Sequence, residues 1–332
     1  MEAPIDRPGV LSATLTPPSR LEARLEAQII GSLRIRRGST ILDARQLGGC
    51  KPRQILEILL LHLGTAVSKD RLIELLWDGC PPAEARPSLE SYVSVLRRHL
   101  QPGAGKGGPL RTATGGYLIE RDLVDLDLDR FDALLRTAQL AAPATAYPLL
   151  RQALEFAVGP LLGDELLPAW AEDERRAHAA RVTQALILIA EVSAVLGKFD
   201  EAVAWAGQAL VGEPLNERAW TSLILGLELA GRHAEGLHAY ERCRRALDRD
   251  LGCAPGAGLR AAYLRLLQAT SHGDGELSDV VSALLVLYEQ QNHSAGRAAG
   301  GAAPPVPSSA GDPVRDAVNV VSAFLRRAVS AA

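Results

Sequence analysis

The sequence has few cysteines, and their positions fit neither a disulfide framework nor a metal site. The 332 residues include four of them, Cys50, Cys80, Cys243 and Cys253, too far apart for a Cys-x-x-Cys pair or another metal-ligand spacing. We therefore expect free thiols in a reducing compartment. The sequence also lacks a signal-peptide core and any run of about 18 uncharged apolar residues. These absences predict a soluble cytoplasmic protein without a membrane partner.

Motifs of common enzyme classes are also missing. GxSxG, HExxH and a His/Cys constellation do not occur, and the seven histidines are dispersed. The glycine cluster Gly103–Gly108 lacks the GxxxxGK[ST] spacing of a phosphate-binding loop and fits a flexible connection better. We predict that the protein is not an enzyme and needs no cofactor or metal.

Charge is distributed unevenly along the chain. The formal net charge is −3, but residues Ile29–Arg121 hold 14 Lys and Arg against 8 Asp and Glu. That block therefore has a formal net charge of +6, and the rest of the chain has a formal net charge of −9. A basic block joined to an acidic remainder indicates that one part of the chain meets a polyanion and the other does not.

The segment Arg86–Leu100 in the basic block has the pattern of an amphipathic helix. Its apolar residues Leu89, Val93, Leu96 and Leu100 recur at i, i+4, i+7 and i+11, which places them on one buried side. The other side carries hydroxyl groups, a small apolar group and charges, the types that reach base edges in a DNA major groove. An ordinary solvated helix is the alternative, and flanking elements decide between the two. The predicted base-contacting residues are Glu90, Ser91, Ser94, Val95 and Arg98.

The flanking elements predict a winged helix–turn–helix. Residues Ile29–Asp43 alternate as short strands, and two helical patterns follow, the second with Ser68 as its N-cap. After Arg86–Leu100, two short strands around Gly115 and Gly116 form a hairpin. In this arrangement the third helix enters the major groove, and the hairpin, called the wing, lies along the DNA backbone or the neighbouring minor groove.

Other polar side chains of this region are placed to contact the sugar-phosphate backbone. Such contacts position a protein on DNA without reading its sequence. The predicted phosphate and wing contacts are Arg53, Lys69, Arg71, Ser88, Tyr92, Arg97, Arg111, Thr112 and Thr114. One module of this size buries roughly 600–1,000 Å² on DNA, so we expect modest affinity from a single copy and a higher affinity from two.

The second half of the chain has a different character. Aspartates alternate with apolar residues from Asp122 to Asp132, which predicts a domain boundary and a solvated linker face; no EF-hand spacing fits. Further on, similar patterns begin at Gly197 and Gly231, 34 residues apart, the period of a tetratricopeptide repeat. We therefore predict paired helices that bury their apolar faces by stacking.

Both halves resemble one protein family. The stretches GGCKPRQILEILLLHLG, VSKDRLIELLWDGCPPAEARPSLESYVSVLRRHL and TGGYLI resemble the DNA-binding domain of the Streptomyces antibiotic regulatory proteins, whose winged helix is similar to that of two-component response regulators. The stretches ALEFAVGPLLGDELLPAWAEDERRAHAARV, ALVGEPLNERAW and GRHAEGLHAYERCRRALDRDLGCAPGAGLRAAYLRLL are similar to the bacterial transcriptional activation domain that follows it in that family.

We predict four segments and a mainly α fold class, in which a winged helix–turn–helix of α+β type precedes an all-α tetratricopeptide-like domain. The segments are a flexible N-terminal arm (1–28, with a possible helix over Arg20–Gln28), the winged helix (29–121), the activation domain (122–270) and a C-terminal extension (271–332). The extension contains an Ala/Gly/Pro/Ser linker and two possible helices, Leu277–Gln291 and Val314–Val329. The extension is either a tail that binds a partner or an addition without a function, and the sequence leaves both alternatives open.

The resemblance implies a transcriptional activator of an antibiotic or other secondary-metabolite gene cluster. It implies homodimers on direct repeats near the promoter −35 region and contacts with RNA polymerase holoenzyme through the sigma factor and alpha subunit. The segment Asp78–Ala85 matches the polymerase-contacting loop of related winged helices, with Asp78 and Glu84 as candidates. The alternatives are a repressor on the same fold and an interaction adaptor whose winged helix does not bind DNA.

Overall fold

A computed structural model describes residues 24–104, 107–165 and 169–271 of the chain. Two compact units are present. Of the described residues, the first unit combines those up to Leu134 with those between Glu155 and Ala179, and the second combines Leu135–Leu154 with those from Ala180 onward. The two possible helices predicted in the C-terminal extension lie outside the described residues.

A four-stranded sheet opens the first unit. Its strands are β1 (Leu25–Gln28), β2 (Arg34–Arg37), β3 (Thr40–Asp43) and β7 (Val124–Leu126), in the order β3-β2-β1-β7. The first three strands pair antiparallel, and β7 runs parallel to β1. The prediction of an unstructured or helical segment up to Gln28 is therefore wrong for its last four residues. Leu25 and Ala27 alternate inward from β1 and are buried, which makes the segment a half-buried strand.

The helix–turn–helix and the wing follow the sheet. Their elements are α1 (Cys50–Leu61), β4 (Val67–Ser68), α2 (Lys69–Trp77), α3 (Ala85–Leu100), β5 (Leu110–Ala113) and β6 (Gly116–Ile119). The Ser68 side chain accepts a hydrogen bond from the Arg71 N–H and caps α2, as the sequence predicts. The wing hairpin pairs with β4, so a second sheet has the order β4-β6-β5.

The aspartate-rich stretch after the wing is not simply a solvated linker. Within it, β7 joins the first sheet, and α4 (Asp127–Leu140) begins. Asp127 is only 7% exposed, and its carboxylate accepts hydrogen bonds from the backbone N–H groups of Ile29, Ile30 and Leu128. Burial raises the pKa of this carboxyl above its usual value, and the three N–H donors oppose that shift. The alternation that suggested a linker thus includes a buried structural group.

Residues after α5 (Pro143–Phe156) return to the first unit. The N–H of Leu162 donates to the Ile29 carbonyl, and the N–H of Gly31 donates to the Pro160 carbonyl. The Glu165 carboxylate accepts hydrogen bonds from Arg53 Nε at 2.6 Å and Gln54 Nε2 at 2.9 Å, both on α1. We call Val158–Glu165 the docking segment. The sequence places it in the second predicted domain, whereas these contacts hold it on the sheet and on α1.

The described part of the second unit is all-helical. It contains most of α5, the part of α6 (Glu172–Val195) after Ala179, α7 (Phe199–Gly212), α8 (Glu217–Leu229), α9 (His233–Leu251) and α10 (Ala257–Ser271). The equivalent turns before α7 and α9 contain Gly197 and Gly231 with φ of +74° and +71°, a conformation that favours glycine. The predicted 34-residue repeat therefore corresponds to two stacked helix pairs, α7/α8 and α9/α10. Their shared core contains Ala206, Trp220 and Cys243.

One helical stretch in the described part of the chain, Ala169–Val195, is long and apolar enough to cross a membrane by length and composition. Half of its most apolar window is buried inside the protein. Core helices of water-soluble proteins pass the same test, so this feature is weak support for a membrane span. All four cysteines are free thiols, and Cys243 is buried in the second unit.

Glu57, on the buried side of α1, makes the first unit sensitive to pH. Burial and the neighbouring Glu165 carboxylate raise the pKa of Glu57 to about 8, although the Arg53 guanidinium acts in the opposite direction. Both Glu57 carboxyl oxygens are buried, and neither has a hydrogen-bond partner among the described residues, so the neutral, protonated form is favoured. The folded state therefore holds a proton that the unfolded state releases near pH 4.5, the ordinary pKa of glutamate. Stability from this group is full below pH 4.5 and is lost as the pH rises to about 8.

We predict that Glu57→Gln abolishes this pH dependence. Above pH 8 the free energy of unfolding of the variant should exceed that of the parent by on the order of a few kcal/mol, so the variant should unfold at a higher urea concentration. The gain should shrink as the pH falls. Urea unfolding between about pH 5 and 9 measures the difference. The exposed Glu74→Gln serves as the control. A gain that is the same at all pH values would show that Glu57 does not carry this proton.

Candidate nucleic-acid interface

The exposed side of α3 presents most of the predicted base-contacting residues. Glu90, Ser91, Ser94 and Arg98 are exposed, while the opposite side of the helix is buried in the core of the first unit. The Ser94 hydroxyl donates to the Glu90 carbonyl at 2.9 Å, so its oxygen remains an acceptor for an incoming group.

Val95, the fifth predicted base contact, lies on the flank of α3 and is half-buried. It packs against the loop before α1: a Cβ built on Gly48 would lie only 2.4 Å from Val95 Cγ1. The structure therefore does not group Val95 with the four exposed residues. Tyr92 is half-buried on the opposite flank.

Two ion pairs cross between α2 and α3. Lys69 Nζ lies 2.6 Å from Glu90 Oε1, and Arg86 Nη2 lies 2.5 Å from Asp70 Oδ1. The hydrogen bond between Lys69 and Glu90 raises the pKa of Lys69 and lowers that of Glu90. Two side chains predicted to contact DNA separately, Lys69 and Glu90, thus neutralise each other in the free protein. Arg86 was missed as a site residue, although its i,i+4 spacing from Glu90 marks it as a member of the same surface.

Arg97 connects α3 to the wing. Its guanidinium donates to the Thr112 hydroxyl at 2.7 Å and, more weakly, to the Leu110 carbonyl at 3.3 Å, and it lies 5.8 Å from the centre of the Tyr117 ring. Arg97 was predicted to contact phosphate, but here it holds the hairpin against the helix. Its remaining donors still face the surface, since the residue is only half-buried.

The wing is also held by its neighbouring strand. A Cβ on Gly116 would lie 2.2 Å from the Val67 carbonyl oxygen, so β6 approaches β4 at a distance that only glycine permits. The Lys69 N–H donates to the Gly115 carbonyl at 2.9 Å, which ties the start of α2 to the hairpin turn. Thr114 is exposed at that turn. The wing tip and the first turn of α2 therefore form one continuous edge.

The remaining predicted phosphate contacts are distributed unequally. Arg71 is exposed on α2 and pairs with Glu74 at 2.7 Å, and Arg111 pairs with Glu120 on the wing at 2.9 Å. Ser88 is half-buried in the first turn of α3. Arg53 lies apart from these residues, because its Nε is committed to the nearly buried Glu165 at 2.6 Å.

The predicted polymerase-contacting loop is exposed between α2 and α3. Asp78 ends α2 in a left-handed conformation with φ of +49°, and Gly79 follows with φ of +75°. All residues from Asp78 to Glu84 are exposed. Among the described residues, no group of three or more His, Cys, Asp or Glu side chains is arranged to hold a metal ion.

Two family profiles match the chain. Residues 49–119 match the family described as "Transcriptional regulatory protein, C terminal", and residues 126–267 match the "Bacterial transcriptional activator domain". The chain is also similar to the transcriptional regulatory protein MoaR1 of Mycobacterium tuberculosis, with 30% identity over 80% of this chain and 85% of the relative. The transcriptional regulator RedD of Streptomyces coelicolor is 31% identical over 69% of each chain. The chain belongs to the Streptomyces antibiotic regulatory protein family.

A solved structure supports the same assignment. The structure of Mycobacterium tuberculosis EmbR in complex with a low-affinity phosphopeptide matches with a TM-score of 0.66 and 30% identity, over 79% of this chain and 71% of that one. Membership of the Streptomyces antibiotic regulatory protein family confirms the predicted fold class and makes the chain a DNA-binding transcriptional regulator. The family consists of transcriptional regulators rather than enzymes.

We predict that Glu90→Gln increases binding to DNA of random sequence. Loss of the carboxylate removes the partner that Lys69 must leave before it contacts a phosphate, so affinity should rise at every salt concentration. Fluorescence anisotropy with a random duplex at several salt concentrations measures the affinity. Asp122→Asn removes an equally exposed carboxylate outside α2, α3 and the wing, and should leave binding close to that of the parent. Equal behaviour of the two variants would contradict the assignment.

Proposed function

We propose that the protein activates transcription of a secondary-metabolite gene cluster by binding direct repeats near the −35 region of its promoters. It acts in the cytoplasm, at the nucleoid, as a homodimer on DNA. The activator domain match over residues 126–267 supports activation, and membership of the Streptomyces antibiotic regulatory protein family supports a role in a biosynthetic pathway. Two copies on adjacent repeats compensate for the small contact area of one winged helix.

The observation that carries this proposal is the exposed side of α3 beside the wing. Ser91, Ser94 and Arg98 stand there together, and within the described part of the chain Arg98 forms no ion pair. A free guanidinium is suited to the O6 and N7 atoms of guanine, and serine hydroxyls are suited to several base edges. Glu90 can accept a hydrogen bond from cytosine N4 once Lys69 turns to a phosphate.

Phosphate contacts surround this group. Lys69 and Arg71 are at the start of α2, and Arg97, Arg111, Thr112 and Thr114 are on or beside the wing. Ser88 and Tyr92 lie on α3 itself, at the border between its exposed and buried sides. We assign these side chains to the DNA backbone, where they set the register of α3 in the groove. Arg53 is the weakest of the predicted contacts because its guanidinium is occupied by Glu165.

The exposed loop between α2 and α3 is our candidate for the contact with RNA polymerase holoenzyme. Its carboxylates Asp78 and Glu84 suit basic side chains of the sigma factor or alpha subunit. The helix pairs of the second unit are the candidate dimerisation and polymerase surface, because stacked helical repeats present extended binding faces.

Selection of DNA from a random pool tests the proposal directly. With the full-length chain at near-physiological salt, we expect enrichment of a short motif repeated in one orientation. On a promoter that carries this repeat, the protein should then increase transcription by purified RNA polymerase. No enrichment by a folded protein would favour an interaction adaptor, and reduced transcription from the selected promoter would identify a repressor.

We predict that Arg98→Ala and Lys69→Met weaken binding in different ways. Arg98→Ala should lose about 1–3 kcal/mol on the selected site and relax the preference at one base pair. Lys69→Met should weaken all sequences by a similar factor and reduce the salt slope by about one. Binding to a set of single-base variants of the selected site, at several salt concentrations, separates the two patterns. If both variants behave alike, Arg98 does not read a base.

A further inference from the structure

A cleft of about 290 Å³ opens on the outer face of the four-stranded sheet. Leu25, Ala27 and the other inward side chains of the sheet pack with Leu56 and Leu60 of α1, so the cleft lies on the side of the sheet away from α1. Side chains of β1, β2, β3 and β7 line it together with Arg130 and the segment Glu155–Val158. All these residues belong to the first unit.

Most charged groups in the cleft have partners within the protein. Glu26 pairs with Arg36 at 3.4 Å, and Asp125 binds the Arg130 guanidinium through both of its oxygens, one of them 2.6 Å from Nε. The Asp127 carboxylate is occupied by backbone N–H groups. These groups contribute little attraction for a bound molecule, because each is already neutralised or hydrogen-bonded.

Two charged groups of opposite sign remain. Over the described residues, the side chains of Arg34 and Glu155 form no hydrogen bond or ion pair, either with each other or with other residues. Arg34 stands on the outer face of β2, and Glu155 is at the end of α5. Among the described residues that line it, the cleft therefore offers one free cation and one free anion.

Apolar side chains complete the lining. Phe156 is half-buried, Ile41 is 54% exposed and Val158 is 89% exposed. Exposed apolar groups around a concave surface gain free energy when an apolar ligand covers them. At about 30 Å³ for each water in the liquid, the cleft has room for roughly ten waters, which a ligand of amino-acid or dipeptide size would displace.

We propose that this cleft binds a small zwitterion with an apolar body, such as an apolar amino acid or a short apolar peptide. The ligand carboxylate pairs with the Arg34 guanidinium, whose planar fork suits a carboxylate. The ligand ammonium pairs with the Glu155 carboxylate, and the apolar body covers Ile41, Phe156 and Val158. The site makes the first unit responsive to a small molecule, and it does not depend on which DNA sequence the protein reads.

Methyl NMR of the full-length chain with L-phenylalanine as the probe tests the proposal. Ile41 and Val158 carry methyl groups in the cleft, and Val211, 86% exposed in the second unit, is an internal control. We expect the Ile41 and Val158 resonances to shift in a saturable way while that of Val211 stays. Phenylacetate, which lacks the ammonium, and phenethylamine, which lacks the carboxylate, should each bind about tenfold more weakly or worse.

Variants of the two charged residues complete the test. Arg34→Gln and Glu155→Gln should each weaken L-phenylalanine binding about tenfold or more, while Arg45→Gln, an exposed change outside the cleft, should leave it unchanged. The proposal is overturned if phenylalanine, leucine, tryptophan and dileucine all fail to shift Ile41 and Val158 at concentrations on the order of 10 mM. It is also overturned if phenylacetate binds as tightly as phenylalanine, or if Arg34→Gln has no effect.

Discussion

Backbone groups between β1 and β2 obtain their hydrogen-bond partners from distant parts of the chain. The N–H groups of Ile29 and Ile30 donate to Asp127, and backbone groups of residues 29–31 exchange hydrogen bonds with residues 160–163. Ile29 and Ile30 are almost completely buried, so without these partners their polar backbone atoms would be desolvated and unpaired, at a cost of about 1–3 kcal/mol each. The first sheet and α1 therefore depend on a segment that belongs, by sequence, to the activator domain.

The same unit has an electrostatically restrained DNA-binding surface. Lysine and arginine side chains on α2 and α3 are paired with acids from the facing helix, so the free protein presents less positive charge than its composition suggests. Phosphate attraction drives non-specific binding, and a surface that must exchange internal partners for DNA limits it. In the mode of binding that we propose, discrimination between sites then depends more on the few groups left unpaired, above all Arg98.

The sequence was sufficient for the elements whose side chains follow a local period. The four apolar residues of α3, the Ser68 cap, the hairpin around Gly115 and the 34-residue repeat are all present as predicted. Periodicity did not distinguish β7 from a linker, because alternating acidic and apolar residues fit both, and the burial of Asp127 at the start of α4 leaves no mark in the sequence. Only the hydrogen bonds that the Asp127 carboxylate accepts from the N–H groups of Ile29 and Ile30 identify it as a buried structural group.

Local sequence patterns likewise do not predict which side chains pair when they are far apart in the sequence. Lys69 and Glu90 are 21 residues apart, and Arg53 and Glu165 are 112 apart, so their partners follow from the tertiary fold alone. These pairs change the interpretation of Arg53, Lys69 and Glu90, because local patterns predict each of them as an unpaired side chain. The exposed positions of Glu90, Ser91, Ser94 and Arg98 on α3, in contrast, agreed with the helical period, whereas Val95 lies half-buried on the flank.

The docking segment also determines when the DNA-binding unit can form during synthesis. Leu33 is made early, but its N–H pairs with Asp164, 131 residues later. Until the ribosome has released that segment, the first sheet and α1 lack one wall, and the closing contacts span a long loop with a correspondingly large entropic cost. A nascent chain that has exposed only its winged helix therefore lacks contacts that complete the first unit, and these contacts form only after α4, α5 and the docking segment have been translated.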